Sequence, residues 1–274
     1  MIIMKQIIAS ALCFITFTAF AQKNQLRLKK GDVIFSLVES SQDIDMGMGM
    51  QMNTNLSGAY ELSVYRDHHD SAYTILAKMV STKVVATGAG QDQTYNSETG
   101  EGADSELGSM LKDNIGRQDT LIVNRYTGVV TKKDTVTINL LESLNKSEED
   151  LATVSENSLF IIRDDAKQGD KWTVKSKTGG VDSETDYELK SIDGKVATIE
   201  YKTKVNGSSE VEVQGMPMMV TTNGKVEGDF TTDIETGLIF TKSIVSDLKS
   251  SMEIMGQTME MSAKGKVTVT NRLK

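Results

Sequence analysis

Long runs in which apolar and polar residues alternate, divided by short turn signals, constrain the fold of this chain more than any other feature. At the C-terminus, Gly256-Gln257 fits a two-residue loop with glycine at the first central position, as a type II′ turn prefers. Met252 would then face Met261, and one face of the hairpin would be largely apolar. The other face would carry Asp247, Lys249, Glu253, Glu260, Lys264 and Lys266. Because a slip of one residue would mix the two faces, this alternation predicts an antiparallel hairpin with one buried face.

The same pattern predicts three more hairpins. Asn223-Gly224 is a type I′ turn signal, and Pro217 indicates that the preceding strand is an edge or carries a bulge. Residues 192–194 fit a three-residue loop closed by a left-handed glycine, with Leu189 facing Ala197. A fourth hairpin joins residues 59–65 to residues 72–80 across 66–70.

Two segments depart from the strand pattern and are predicted to be helical. Apolar residues recur at helical spacing at positions 107, 110, 111 and 115, where Asp104 or Ser105 can cap the start and Gly116 can end the helix. A second helix is predicted between about 147 and 156, because Ser147 and Asp150 form a start that resembles a capping box.

The predicted fold class is mainly β, with one or two large curved antiparallel sheets and one or two short helices covering a face. Three short matches recur in the same order along the chain and predict two related β units. They pair residues 29–32 with 167–170, 60–62 with 187–189, and 126–130 with 235–239. The predicted organisation is a first unit at 22–135, a helical connection at 136–164 and a second unit at 165–274. The alternative is coincidence among common turn residues.

The N-terminus has the features of a cleavable secretion signal. Met4-Lys5 begins a short positive region, an apolar run follows from Ile7 to Phe20, and residues 19–21 form an A-x-A cleavage site. Cleavage after Ala21 removes Cys13, which is the only cysteine of the chain. The expected location is periplasmic or secreted, and the mature chain is expected to have neither a thiol nor a transmembrane helix.

Composition and motifs argue against several function classes. The net charge of −8 and the lack of a basic cluster argue against nucleic acid. The glycines lack the lysine of a phosphate-binding loop, and no serine lies in a G-x-S-x-G motif. His68 and His69, the two histidines, are adjacent in an expected turn, where their rings would not converge on a metal. We therefore predict a non-enzymatic protein with no cofactor, no metal and no catalytic residues.

Methionine is unusually common, with 15 residues in the chain. The candidate ligand-binding residues are Met46, Met48, Met50 and Met52, predicted to alternate along one strand, together with Met219, Met259 and Met261. These side chains can fill a β core, line an adaptable groove for a lipid or another hydrophobic small molecule, or bind Cu(I) or Ag(I) through their thioether sulfurs. The sequence leaves all three alternatives open.

The order of the short motifs resembles that of a known family. After the signal come Lys30-Gly31-Asp32, a Tyr-Glu-Leu strand, residues 95–97, a short helix and Thr-Gly-Val-Val. Residues 169–172, a second Tyr-Glu-Leu strand, a second Thr-Gly and a closing Met/Gly hairpin follow. This arrangement resembles a family of exported proteins of unknown function that is common in Bacteroidota. The resemblance implies a Gram-negative envelope setting and no catalytic residues.

The leading hypothesis is an exported envelope protein that binds a lipid-like ligand or a partner on the face of a curved sheet. The alternative is a structural or protein-interaction module with a packed core and no ligand, whose partner would be another envelope protein. Methionine-dependent binding of Cu(I) or Ag(I) is the minor alternative.

Overall fold

A computed structural model describes residues 25–47, 49–69, 71–88, 92–133, 157–163, 165–178, 180–213, 216–254 and 257–274. The predicted signal peptide and the predicted second helix lie outside the described residues.

Most of the described chain forms antiparallel strands. They are β1 (Val33–Asp45), β2 (Gln51–Asp67), β3 (Ala72–Gly88), β4 (Gln93–Asn96), β5 (Gln118–Asn124), β6 (Val130–Lys133), β7 (Lys171–Thr178), β8 (Val181–Asp193), β9 (Val196–Val213), β10 (Met216–Asp233), β11 (Ile239–Ile254) and β12 (Gln257–Leu273). The strands form one open sheet in the order β6-β5-β3-β2-β1-β12-β11-β10-β9-β8-β7, and β4 pairs with β3 beside this path. The mainly β prediction is confirmed. The first and last strands of the chain, β1 and β12, join the two halves of the sheet.

A single α-helix is found among the described residues, α1 (Glu106–Leu111), and a 3-10 turn at Lys112–Asn114 follows it. The hydroxyl of Ser105 accepts a hydrogen bond from the backbone N–H of Gly108 at 3.0 Å, as a helix N-cap does. Leu107 and Leu111 pack with Val84 and Tyr95 against the sheet. The first predicted helix and its serine cap are therefore confirmed.

Replacing Ser105 by alanine is expected to lower the free energy of unfolding by about 1 kcal/mol, because the N–H of Gly108 loses its partner. Urea denaturation followed by circular dichroism measures the change. Ser109→Ala is the matched control, since this serine is exposed inside the same helix. Equal effects of the two variants would contradict the capping role.

Two predicted hairpins form with the correct faces but with registers displaced by two residues. Met252 pairs with Met259 rather than Met261, and Leu189 pairs with Ile199 rather than Ala197. The first hairpin closes one step earlier than predicted, and a bulge near Leu189 contributes to the shift in the second. Because side chains alternate with a period of two, a two-residue shift changes the partners and preserves the faces. The hairpin across residues 66–70 also forms, between β2 and β3.

The predicted turn at Asn223-Gly224 is wrong. These residues lie in the middle of β10, where Asn223 pairs with Asn206 of β9 and Lys249 of β11. Pairing along both sides of the strand outweighs a local turn signal, and the β9–β10 hairpin closes instead at Val213 and Met216. Gly224 has another role, because a Cβ atom there would overlap the backbone of β11.

The hydrophobic core lies at one end of the sheet, which we call the proximal end, where β1 begins and β12 ends. Leu26, Ile34, Leu62 and Tyr73 belong to its larger cluster. A second cluster is centred on Phe230 and holds most of the aromatic rings. The opposite end of the sheet, where β1 turns into β2 and β11 into β12, is called the distal end.

The turns before β1 and β7 make the same backbone hydrogen bonds. The N–H of Gly31 donates to the carbonyl of Val64 at 2.9 Å, and the N–H of Val64 donates to the carbonyl of Asp32 at 2.8 Å. Gly169 and Asp170 make the corresponding bonds with Leu189, at 2.7 and 2.9 Å. Val64 is thus the counterpart of Leu189. The Tyr-Glu-Leu match proposed from the sequence is therefore out of step by two residues.

The two Thr-Gly turns are also alike. The side-chain oxygen of Asn124 accepts from the N–H groups two and three residues further on, at 2.8 and 3.0 Å. Asp233 does the same, at 2.7 and 3.1 Å. The duplication of a β unit stays a prediction, and these shared turns are the structural feature that favours it.

Candidate functional site

The two faces of the sheet differ in the distal half. We call the face that carries Ile34 and Leu62 the inner face and the opposite face the outer face. The outer face is charged, with exposed ion pairs such as Lys175–Glu184 at 2.9 Å and Lys264–Asp247 at 3.9 Å. Exposed pairs of this kind add little stability. The outer face is therefore a solvated surface.

Glycines on the inner face allow the strands to approach closely. Cβ atoms at Gly224 and Gly228 of β10 would overlap backbone atoms of β11, and one at Gly207 of β9 would overlap β8. Glycine within a strand commonly marks a bend or a close backbone approach. The residues between these glycines are half-buried on the inner face and exposed on the outer face, so the inner face is the sheltered side of the sheet.

A polar row crosses the middle of the inner face. Its members pair laterally from β2 to β8. Five of them are polar, Thr54, Gln42, Ser246, Thr203 and Thr185, and Gly265 and Val226 lie between them. The hydroxyls of Thr185 and Thr203 lie 2.9 Å apart. The hydroxyl of Thr54 is buried and has no hydrogen-bond partner among the described residues.

An apolar surface lies beyond this row, toward the distal end. Met52, Ile44, Ala263, Leu248, Gly224 and Val205 pair in register across six strands. Strands lie about 4.8 Å apart, so this line is roughly 24 Å long. We name the whole apolar surface the distal band and define it by Ile44, Met52, Val205, Val220, Leu248, Met252, Met259, Met261 and Ala263.

The distal band is not part of the packed core. In the described chain, the hydrophobic clusters lie at the proximal end and beneath α1, and none includes a residue of the distal band. Met252 is 9% exposed, and the other members are half-buried by their neighbours in the sheet. The distal band is therefore a partly exposed apolar surface on the sheltered face of the sheet.

The methionines at positions 46–52 do not alternate along one strand, as the sequence pattern predicted. The N–H of Met46 donates to the carbonyl of Met50 at 2.9 Å, and the N–H of Met50 donates to the carbonyl of Gly47 at 3.0 Å, so they form a turn. The left-handed φ angles of Gly47 and Gly49, 76° and 78°, favour this reversal. Met50 is 43% exposed, and Met48 lies outside the described residues.

Three of the predicted ligand-binding methionines do share one surface, and a fourth does not. Met52, Met259 and Met261 belong to the distal band. Met219 is 54% exposed and lies on the outer face, next to Val220 on the inner face. The residues predicted from the sequence did not include Met252, which pairs directly with Met259. The alternation along β11 was the signal that could have added it.

The aromatic residues form a packed cluster at the proximal end and not a binding site. The rings of Phe160 and Phe230 meet edge to face at 4.7 Å, and Trp172 stacks on Tyr187 at 5.3 Å. Burial raises the pKa of the Tyr187 and Tyr201 phenols, so both stay neutral. Neither phenol is suited to act as a base.

The two histidines do not converge on a common point. The Nε2 atom of His68 lies 2.8 Å from the hydroxyl of Thr74. His69 is exposed, and its Nδ1 atom lies 3.9 Å from a carboxylate oxygen of Asp67. Among the described residues, no three His, Cys, Asp or Glu side chains are grouped so that they could hold a metal ion.

Comparison with known proteins connects part of the chain with a family. Residues 127–239 match a family of unknown function (DUF6263). The match begins within the first Thr-Gly turn and ends just beyond the second. No curated protein matches the chain. No helix within the described residues is long and apolar enough to cross a membrane.

Solved structures share only a weak likeness with this chain. OccK5 (OpdH) of Pseudomonas aeruginosa is 7% identical with a TM-score of 0.25, and the alignment covers 90% of this chain and 99% of that one. OpdQ of the same organism is 5% identical with a TM-score of 0.23, over 90% and 100% of the two chains. The COG4313 outer membrane channel of Pseudomonas putida F1 is 8% identical with a TM-score of 0.21, over 90% and 97%. TM-scores this low carry no argument about function.

Proposed function

We propose that this is an exported, non-enzymatic protein of a Gram-negative envelope that holds a lipid-like ligand on the inner face of its sheet. The observation that carries the proposal is the distal band, an apolar surface that lies outside the packed core and is interrupted by the hydrogen-bonded hydroxyls of Thr222 and Ser250. Export is favoured by the A-x-A site at residues 19–21 and by the motif order that resembles exported proteins of Bacteroidota.

The distal band offers enough apolar surface to bind an acyl chain. Full burial of a Leu, Ile or Met side chain contributes about 1.5–3 kcal/mol, and the half-buried members of the band retain part of that gain for a ligand. The row of residues from Met52 to Val205 is long and straight, which suits an extended acyl chain. Methionines add to this fit because their flexible side chains adapt to irregular apolar shapes.

The polar row beside the distal band can hold the other end of such a ligand. Corresponding residues of neighbouring rows on one face are two positions apart, or about 7 Å along the strand. Hydroxyls such as those of Thr54 and Ser246 can therefore donate to ester or acid oxygens while the chain lies on the band. An apolar surface with a few polar groups at one side is the usual composition of a small-molecule site.

A lysine in the distal band is expected to abolish most of this binding. Leu248→Lys replaces an apolar contact with a charge. The ligand loses part of the gain that full burial of leucine gives, and a loss of about 1.4 kcal/mol weakens binding roughly tenfold. Val245→Lys is the matched control, because Val245 is 46% exposed on the outer face of the same strand. Titration with a fluorescent fatty acid compares the two variants with the wild-type protein.

Native mass spectrometry of protein purified from its host completes the test. We expect a bound lipid on the wild-type protein and on Val245→Lys, and much less on Leu248→Lys. If the wild-type protein shows neither bound lipid nor fatty-acid uptake, the lipid proposal is wrong and the alternative of an interaction module is favoured. Equal losses in both variants would show that binding does not depend on the distal band.

A further inference from the structure

We propose that Met252, Met259 and Met261 form a thioether site for a soft monovalent cation, Cu(I), for which Ag(I) is a probe that air does not oxidise. The site lies within the distal band, but it takes a ligand of a different class from the proposed lipid. The metal-site proposal can therefore be tested separately from the proposed lipid binding.

The register of the last hairpin brings the three methionines together. Met252 and Met259 are direct cross-strand partners on the inner face, and Met261 follows Met259 on that face. Directly opposed residues have Cβ atoms about 4.5–5.5 Å apart. Because each methionine side chain has three rotatable bonds, the sulfurs can turn toward one ion without moving the strands.

The turn between β1 and β2 brings a fourth thioether to the same corner. Asp45 pairs with Ser262, so the register places the next residue, the half-buried Met46, near Met261 at the start of β12. The turn lies close to β12, because a Cβ atom built on Gly47 would lie 2.8 Å from the carbonyl oxygen of Glu260 and 3.8 Å from the Cγ atom of Met259. Met46 can therefore act as an additional ligand.

The surroundings favour a soft monovalent ion over other metals. Thioether sulfur is a soft, neutral ligand that selects Cu(I), whereas Mg²⁺ and Ca²⁺ require oxygen ligands. Val220 pairs with Met252 on the inner face, and Ser250, whose hydroxyl lies 3.0 Å from that of Thr222, pairs with Met261. Neutral ligands leave the ion's charge uncompensated, and a single charge costs less to desolvate than two. The carboxylates of Glu253 and Glu260, exposed at the same end, add a favourable negative potential.

Ag(I) titration of the full chain tests the site. We expect one ion per chain by isothermal titration calorimetry, and the paired substitution of Met252→Leu with Met259→Leu to weaken it. The loss should exceed the roughly 10- to 100-fold that removal of an outer-shell partner costs at a metal site. Met219→Leu, which changes an exposed methionine on the outer face, should bind Ag(I) as the wild-type protein does.

The choice of leucine separates the metal site from the lipid site and from misfolding. Leucine is similar to methionine in volume and apolar character, so the sheet should fold and fatty-acid uptake should persist. In protein labelled with ¹³C at the methionine methyl groups, Ag(I) should shift the signals of Met252, Met259 and Met261 and leave that of Met219 unchanged. Retention of wild-type Ag(I) affinity by the paired leucine variant, or shifts confined to other methionines, would overturn the proposal.

Discussion

Phe230→Ala is expected to lower the free energy of unfolding by about 3–5 kcal/mol, as truncation of a buried phenylalanine does. Phe230 is 1% exposed in the centre of the proximal aromatic cluster. Its ring meets Phe160 edge to face at 4.7 Å and lies 6.1 Å from the ring of Tyr201. Truncation removes both contacts and leaves a cavity between β10 and the segment that carries Phe160.

Tyr65→Ala is the matched control, because Tyr65 is an aromatic residue of β2 that is 56% exposed. Its removal should change stability by no more than about 0.5 kcal/mol. Urea unfolding followed by tryptophan fluorescence suits the comparison, since Trp172 belongs to the cluster around Phe230. Similar losses in the two variants would contradict the position of Phe230 in the core.

The Phe230→Ala substitution should also affect segment 157–163, which carries Phe160. The N–H of Phe160 donates to the carbonyl of Gly237 at 2.8 Å, so this segment is held by its backbone and by its ring. The cavity should therefore increase amide hydrogen exchange at Phe160 as well as lower global stability. None of the residues of the distal band belongs to this cluster, so fatty-acid uptake by Phe230→Ala should persist at temperatures where the variant is folded.

Faces could be predicted from the sequence, and registers could not. The alternation along β11 correctly placed Met252 on an apolar face and Lys249 on a polar one. The partner of Met252 was displaced by two residues, because alternation has a period of two and such shifts leave the pattern unchanged. The distal band depends on both facts, since its residues share a face by alternation and become neighbours by register.

Lateral contacts between distant parts of the chain also escaped the sequence pattern. Ile34 pairs with Leu273, and this contact between the first and last strands has no local signal. The Asn223-Gly224 dipeptide was a strong local signal for a turn, yet pairing on both sides kept it within β10. The prediction at Met46 was wrong in the opposite sense. The alternating methionines resembled a strand, although the glycines between them favoured a turn.

The candidate site could likewise be predicted only in part from the sequence. Met52, Met259 and Met261 were identified by residue type alone, whereas Ile44 and Leu248 joined them only when the strands were placed side by side. Residue type is a poor guide to a single-sided surface, because any apolar residue on the sheltered face serves the purpose.

Asp67→Ala is expected to lower the free energy of unfolding by about 3–5 kcal/mol, because it leaves a buried cation without its carboxylate. The guanidinium of Arg125 is hydrogen-bonded to Asp67, and the Arg125 side chain is only 9% exposed. The same guanidinium lies 4.3 Å from the centre of the Tyr73 ring, whose hydroxyl donates to the carbonyl of Leu26 at 2.8 Å. Loss of the carboxylate would therefore disturb the larger core cluster and the segment before β1.

A second substitution distinguishes an unpaired charge from a general loss of packing. Replacing Arg125 by methionine in the Asp67→Ala background removes the unpaired positive charge and keeps an apolar side chain over Tyr73. Apolar replacement of a whole buried pair is often neutral or stabilising, so the double variant should be more stable than Asp67→Ala alone. A double variant as unstable as the sum of the two single variants would contradict the ion-pair explanation.

Low pH should remove the stability that the Asp67 carboxylate contributes in the wild-type protein. Burial acts to raise the pKa of Asp67, but the hydrogen bonds from Arg125 and the backbone of His69 outweigh it and hold that pKa below its usual value. A lowered carboxyl pKa stabilises the folded state fully above the unfolded-state pKa of about 3.9, and this stability is lost as the pH falls through the folded-state value. The stability difference between wild type and Asp67→Ala, measured by urea unfolding between about pH 6 and pH 2, should therefore shrink toward the acid end. A difference that stays constant across this range would show that Asp67 acts by shape and not by charge.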